Sequence, residues 1–85
     1  MSKKDKLVLR VLSKPKDLTW DELVKFLAIY KYEEENAGKT SGSARRFINM
    51  ETKHSFNLHK PHNPEIVKSY AISIVLDNLK EKGLL

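Results

Sequence analysis

At 85 residues the chain has room for one small domain with a single modest core. It contains no cysteine, which excludes a disulfide framework and a thiolate metal site. The formal net charge is +5: residues 1–16 carry six Lys or Arg against Asp5, residues 17–38 six acids against Lys25 and Lys31, and residues 39–62 five bases against Glu51. A charged opening with only a short apolar stretch predicts neither a signal peptide nor a membrane span, and the simplest expected setting is cytoplasmic. The basic blocks suit a polyanion that the acidic block repels. The plain alternative is solvated charge.

Residues 4–13 suit a short helix that Lys14-Pro15 stops. Thr19 with Glu22 three residues on forms a capping box, flanked by Leu18 and Leu23 at the staple positions, and predicts a helix to about Tyr30. Its inward residues are Leu23, Val24, Phe26, Leu27 and Tyr30, with Trp20 at the edge. An edge strand over 32–36 follows, then strands over 43–49 and 54–59 joined by Met50-Glu51-Thr52-Lys53. The last helix is predicted from Asn63 as N-cap, through Pro64 and Glu65, to about Lys82, with Gly83 ending it. Val67, Tyr70, Ala71, Ile74, Val75 and Leu79 would face the sheet. These elements make an α+β domain with a three-stranded antiparallel sheet and helices on one face. Residues 1–16 are a helical extension and 17–85 the core.

Chemistry concentrates between Gly38 and His62. Two glycines, Gly38 and Gly42, let backbone approach a ligand. Lys39, Arg45, Arg46 and Lys60 offer phosphate contacts, and imidazoles are the usual proton-transfer groups near neutral pH. The four-residue link sets Phe47 opposite Phe56 on the core face. The other face then pairs Ala44 with His59, Arg46 with Asn57 and Ile48 with Ser55, Cβ atoms about 4.5 to 5.5 Å apart. A slip of one residue would invert the two faces. His62, just before the expected N-cap, reads as a structural hydrogen-bonding group, and His54, at the hairpin tip, as surface.

The order of elements, Gly42-Ser43 entering a strand, Phe47, Leu58-His59-Lys60-Pro61-His62 and the closing Leu79–Leu84 segment together resemble a HicA-type toxin over roughly residues 18–85. The resemblance implies a fold similar to the double-stranded-RNA-binding domain, cleavage of messenger RNA, and a HicB-like antitoxin as protein partner. The family pattern is Gly-Ser-His, its histidine taken as catalytic, whereas this chain reads Gly42-Ser43-Ala44. Alanine cannot move a proton. His59 becomes the catalytic candidate, and Lys39, Ser43, Arg45, Arg46, Asn57 and Lys60 the RNA-binding set. No cofactor is expected. The runner-up is a catalytically inactive module that binds RNA or antitoxin, and a third reading is a pure protein-interaction domain.

Other motifs are weaker. Gly38-Lys39-Thr40 resembles the tail of a P-loop, but Glu33 stands where the leading glycine belongs and a strand follows. His59 and His62 lack a third ligand, so no metal site is predicted. A helix-turn-helix over the first two helices is disfavoured by the acidic first turn of the second.

Overall fold

The computed structural model describes residues 2–36, 44–62 and 64–85. The elements are α1 (Lys3–Leu12), α2 (Trp20–Ile29), β1 (Tyr32–Asn36), β2 (Ala44–Asn49), β3 (Ser55–His59) and α3 (Ser69–Glu81). The strands form one antiparallel sheet in the order β1-β2-β3. The predicted α+β architecture is the observed one. The glycine-rich turn expected between the first two strands, and Asn63, lie outside the described residues.

Each of the first two helices starts on a reciprocal cap. Ser2 and Asp5 box α1, and Thr19 and Glu22 box α2, so amides that have no partner inside the helix are satisfied locally. Leu18 and Leu23, the staple pair of α2, are both fully buried. Lys14 closes α1 at φ 51°, immediately before Pro15. Gly83 ends α3 at φ 73°, with its amide donating to the Lys80 carbonyl and that of Leu84 to the Leu79 carbonyl. This is the paired bonding of a Schellman stop, and it favours glycine because the left-handed conformation carries no Cβ clash there.

The hairpin has the expected register. Phe47 pairs with Phe56, Ala44 with His59, Arg46 with Asn57 and Ile48 with Ser55. Strand alternation then divides the residues. Tyr32, Phe47 and Leu58 turn inward and join the buried faces of the helices in one apolar core. Arg46, Asn57 and His59 stay exposed on the outer side. Phe56 is only half-buried, stacked on Phe47 at 5.7 Å.

Three expectations are corrected. Trp20 is 2% exposed rather than marginal: its ring lies 5.6 Å from Phe47, and its indole N–H donates to Glu34 Oε2 at 2.9 Å. The last helix begins at Ser69 behind Lys68, which makes no side-chain cap, and not at Pro64. The preceding residues are held extended against the start of α2, the Trp20 amide donating to the Glu65 carbonyl and the Val67 amide to the Leu18 carbonyl. That pairing uses backbone groups which an earlier helix would need for itself. The inward face of α3 is accordingly Ala71, Ile72, Val75, Leu76 and Leu79, while Tyr70 is 65% and Ile74 41% exposed.

Asn49 ties the hairpin to the helical layer. It is buried, its Nδ2 donates to the Tyr30 carbonyl at 3.0 Å, and its Oδ1 accepts the amides of Glu51 and Thr52 at 2.8 and 2.9 Å. Burial raises the Tyr30 and Tyr32 hydroxyl pKa values above the ordinary tyrosine range. No helix among the described residues is long and apolar enough to cross a membrane.

Candidate functional site

The outer face of the sheet is less basic than the charge blocks suggest. Pairing of β1 with β2 sets Glu33 beside Ile48 and Glu35 beside Arg46. Arg46 Nη2 lies 3.3 Å from Glu35 Oε1. Arg45 turns to the helical side, where its side chain is 23% exposed and its Nε stands 3.6 Å from Glu34 Oε2. The acidic strand therefore neutralises the basic one, and the two blocks that the sequence separates become neighbours. Lys39 and Ser43 lie outside the described residues.

A different concentration of cations and imidazoles forms where β3 leaves the sheet. His59 at the end of the strand, then Lys60 and His62 in the crossover, then Lys68 and Tyr70 at the start of α3 line one groove of about 620 Å³. Val67 and Ala71, both buried, contribute its apolar floor. Pro61 and Pro64 keep the crossover from coiling into helix, so the histidine-lysine run is drawn across toward α3 and does not continue along the sheet edge. Lys60 Nζ is 3.2 Å from Glu65 Oε2, whereas Lys68 is in no salt bridge among the described residues. Among the described residues, no carboxylate lines the groove itself.

The candidates thus separate into two places that share His59. On the outer sheet face, His59 pairs with Ala44, and Asn57 with Arg46. In the groove, His59 stands with Lys60, His62, Lys68 and Tyr70. Arg45 belongs to neither. The groove offers two imidazoles for proton transfer, ammonium groups for anionic oxygens, and an exposed phenol ring that a planar base can stack on.

Lys68 and Tyr70 were not among the expected site residues, because a helix started at Asn63 carries Tyr70 round to the core side. The sequence favours the earlier start, with Pro64 at a first helical position, and Lys68 at the observed N-cap makes no side-chain hydrogen bond. His62, read from the sequence as a structural hydrogen-bonding group before the N-cap, is exposed and lines the groove. His54 is not plain surface: its Nδ1 is 2.7 Å from the Tyr32 hydroxyl, and its ring meets those of Tyr32 and Phe56 at 5.9 and 6.1 Å. It is a packing residue of the hairpin end. No group of three or more His, Cys, Asp or Glu side chains gathers into a metal-binding cluster among the described residues.

Comparison of the chain with protein-family models, curated proteins and solved structures gives no match in any of the three.

Proposed function

We propose that this chain is an RNA-binding, HicA-like toxin domain with a fold similar to the double-stranded-RNA-binding domain, and that it cleaves messenger RNA without a metal. The observation that carries this reading is the groove lined by His59, Lys60, His62, Lys68 and Tyr70. In that reaction a base removes the 2′-hydroxyl proton and the oxygen attacks the adjacent phosphorus. An acid then protonates the departing 5′-oxygen, leaving a cyclic phosphate end. His59 and His62 supply the base and acid, Lys60 and Lys68 offset the charge that develops on the phosphoryl oxygens, and Tyr70 receives a base. Arg46 and Asn57 on the outer sheet face would extend the RNA contact, with Lys39 and Ser43 from the remaining candidate set, while Arg45, turned to the helical side, is left out of it. A HicB-like antitoxin is the proposed protein partner, and the cytoplasm the proposed compartment.

A second reading has its own observation. Ala44 stands directly opposite His59 in the sheet, at the position where the resembled family carries its catalytic histidine. On this reading the chain binds RNA or an antitoxin and does not cut.

The deciding experiment is incubation of the protein with single-stranded RNA in the presence of a chelator. Cleavage is expected, with a rate that varies between about pH 5 and 8. His59→Ala should abolish it while leaving RNA affinity unchanged. Binding should weaken steeply with salt, and Lys68→Ala should flatten that dependence by about 0.7 of a logarithmic slope unit. Cleavage that survives His59→Ala defeats the His59 assignment. Binding without cleavage, together with cleavage by Ala44→His, establishes the second reading; RNA affinity indifferent to salt removes the first reading and the RNA-binding form of the second.

A further inference from the structure

The seam between α1 and α2 has two unlike ends. The helices run antiparallel, and at one end Arg10 is held by Asp17 at 3.1 Å and by Glu22 at 2.6 Å. At the other end, Lys3 and Lys4 of the first turn of α1 meet Lys25 of α2 and Lys31 just beyond it around a pocket of about 320 Å³. Its floor is apolar, from Leu7, Ala28 and Ile29. No carboxylate lines it, and none of the four lysines takes part in a salt bridge among the described residues.

Helix electrostatics do not account for this grouping. Cations near the carbonyl end of α2 are favourable, but Lys3 and Lys4 stand at the amide end of α1, which favours negative charge. Lys31 is held at φ 71°, a left-handed conformation that disfavours any side chain, by its amide donating to the Ala28 carbonyl and its carbonyl accepting from the Met50 amide. Four lysines line one small space with no carboxylate among its described lining residues, so a multiply charged anion seated there meets cations only. Phosphate groups match compact ammonium donors.

We propose that this pocket binds a small anion carrying two or more phosphate groups, held by Lys3, Lys4, Lys25 and Lys31, with any apolar remainder resting on Leu7, Ala28 and Ile29. The site is separate from the groove beside α3 and does not depend on that groove's function.

The test is an amide-resolved NMR titration of the full chain with sodium tripolyphosphate, and in parallel with ATP, both without magnesium. Saturable shifts are expected at the amides of Leu7, Ala28 and Ile29. ATP binding more tightly than tripolyphosphate identifies a nucleotide as the better ligand, and equal affinity identifies the phosphates alone. The double variant Lys4→Ser/Lys25→Ser should raise Kd about tenfold or more, whereas Lys60→Ser/Lys68→Ser should leave it unchanged. Lys31→Gly is the companion variant: glycine accepts the positive φ, so weaker binding there cannot come from a lost fold. The proposal fails if no saturable shift occurs, if shifts gather around residues 59–70, or if the Lys4→Ser/Lys25→Ser protein binds as the parent does. It also fails if a single-stranded RNA shifts the pocket amides and tripolyphosphate does not.

Discussion

Asn49 shows how much one side chain can hold. Its amide group closes the hairpin link through Glu51 and Thr52 and anchors the Tyr30 carbonyl at the end of α2, while the residue is 2% exposed. Removing it leaves a part-buried carbonyl and two turn amides without that partner, a deficit larger than the bonds' net worth. Asn49→Ala is expected to cost about 2 to 4 kcal/mol in chemical denaturation. A loss well below that would mean water enters and replaces the amide. Read in isolation, Asn49 is one polar residue closing a strand. Its buried role follows from the return of the chain beneath Tyr30.

Between elements, the α1–α2 contact is governed by Glu22. This residue serves its own helix cap through Thr19 and also accepts Arg10 Nε at 2.6 Å and Nη2 at 3.3 Å. The hydrogen bond from Arg10 is the main reason that the Glu22 carboxyl is held below the ordinary carboxylate range, and it raises the Arg10 guanidinium in turn. A carboxyl depressed in the folded state contributes stability that is complete above its ordinary pKa. That contribution is lost as pH falls through the folded value. Denaturation midpoints measured from roughly pH 7 down to pH 3 should therefore fall for the parent protein and fall less for Glu22→Gln, which starts lower. Equal acid sensitivity in both proteins would place the titrating group elsewhere. The capping box itself was legible from Thr19 and Glu22; that the same carboxylate joins two helices depends on the antiparallel return of the chain.

The single core leaves little reserve, since a domain of this size is stable by only about 5 to 15 kcal/mol. Phe47 is fully buried between Trp20 and Phe56, at ring distances of 5.6 and 5.7 Å. Phe47→Ala should cost about 3 to 5 kcal/mol and bring the protein close to unfolding. Phe56→Ala should cost clearly less, because half-buried Phe56 leaves part of its ring in water in either state. Thermal melts of the two variants check the order, and equal losses would mean that Phe56 is covered in solution. Charge is arranged on the same scale. The sheet joins Glu34 and Glu35 to Arg45 and Arg46, so the basic surface of the candidate site moves from the sheet face to the crossover beside α3.

What could be read from the chain alone was whatever is settled within a few residues. The four-residue link and the alternation around Phe47 and Phe56 set the hairpin register, the Thr19–Glu22 box started α2, and Gly83 stopped α3, because each involves groups that meet through local backbone geometry. Folding decided the start of α3, the burial of Trp20 and the neutralisation of the two arginines. These depend on partners distant in the sequence: Leu18–Trp20 against Glu65–Val67, Trp20 against Glu34 and Phe47, and β1 against β2. The candidate site was half legible for the same reason. His59 and Lys60 stood out in their own segment, whereas Lys68 and Tyr70 joined them only because the backbone bonds at Glu65 and Val67 hold the crossover extended and delay the last helix.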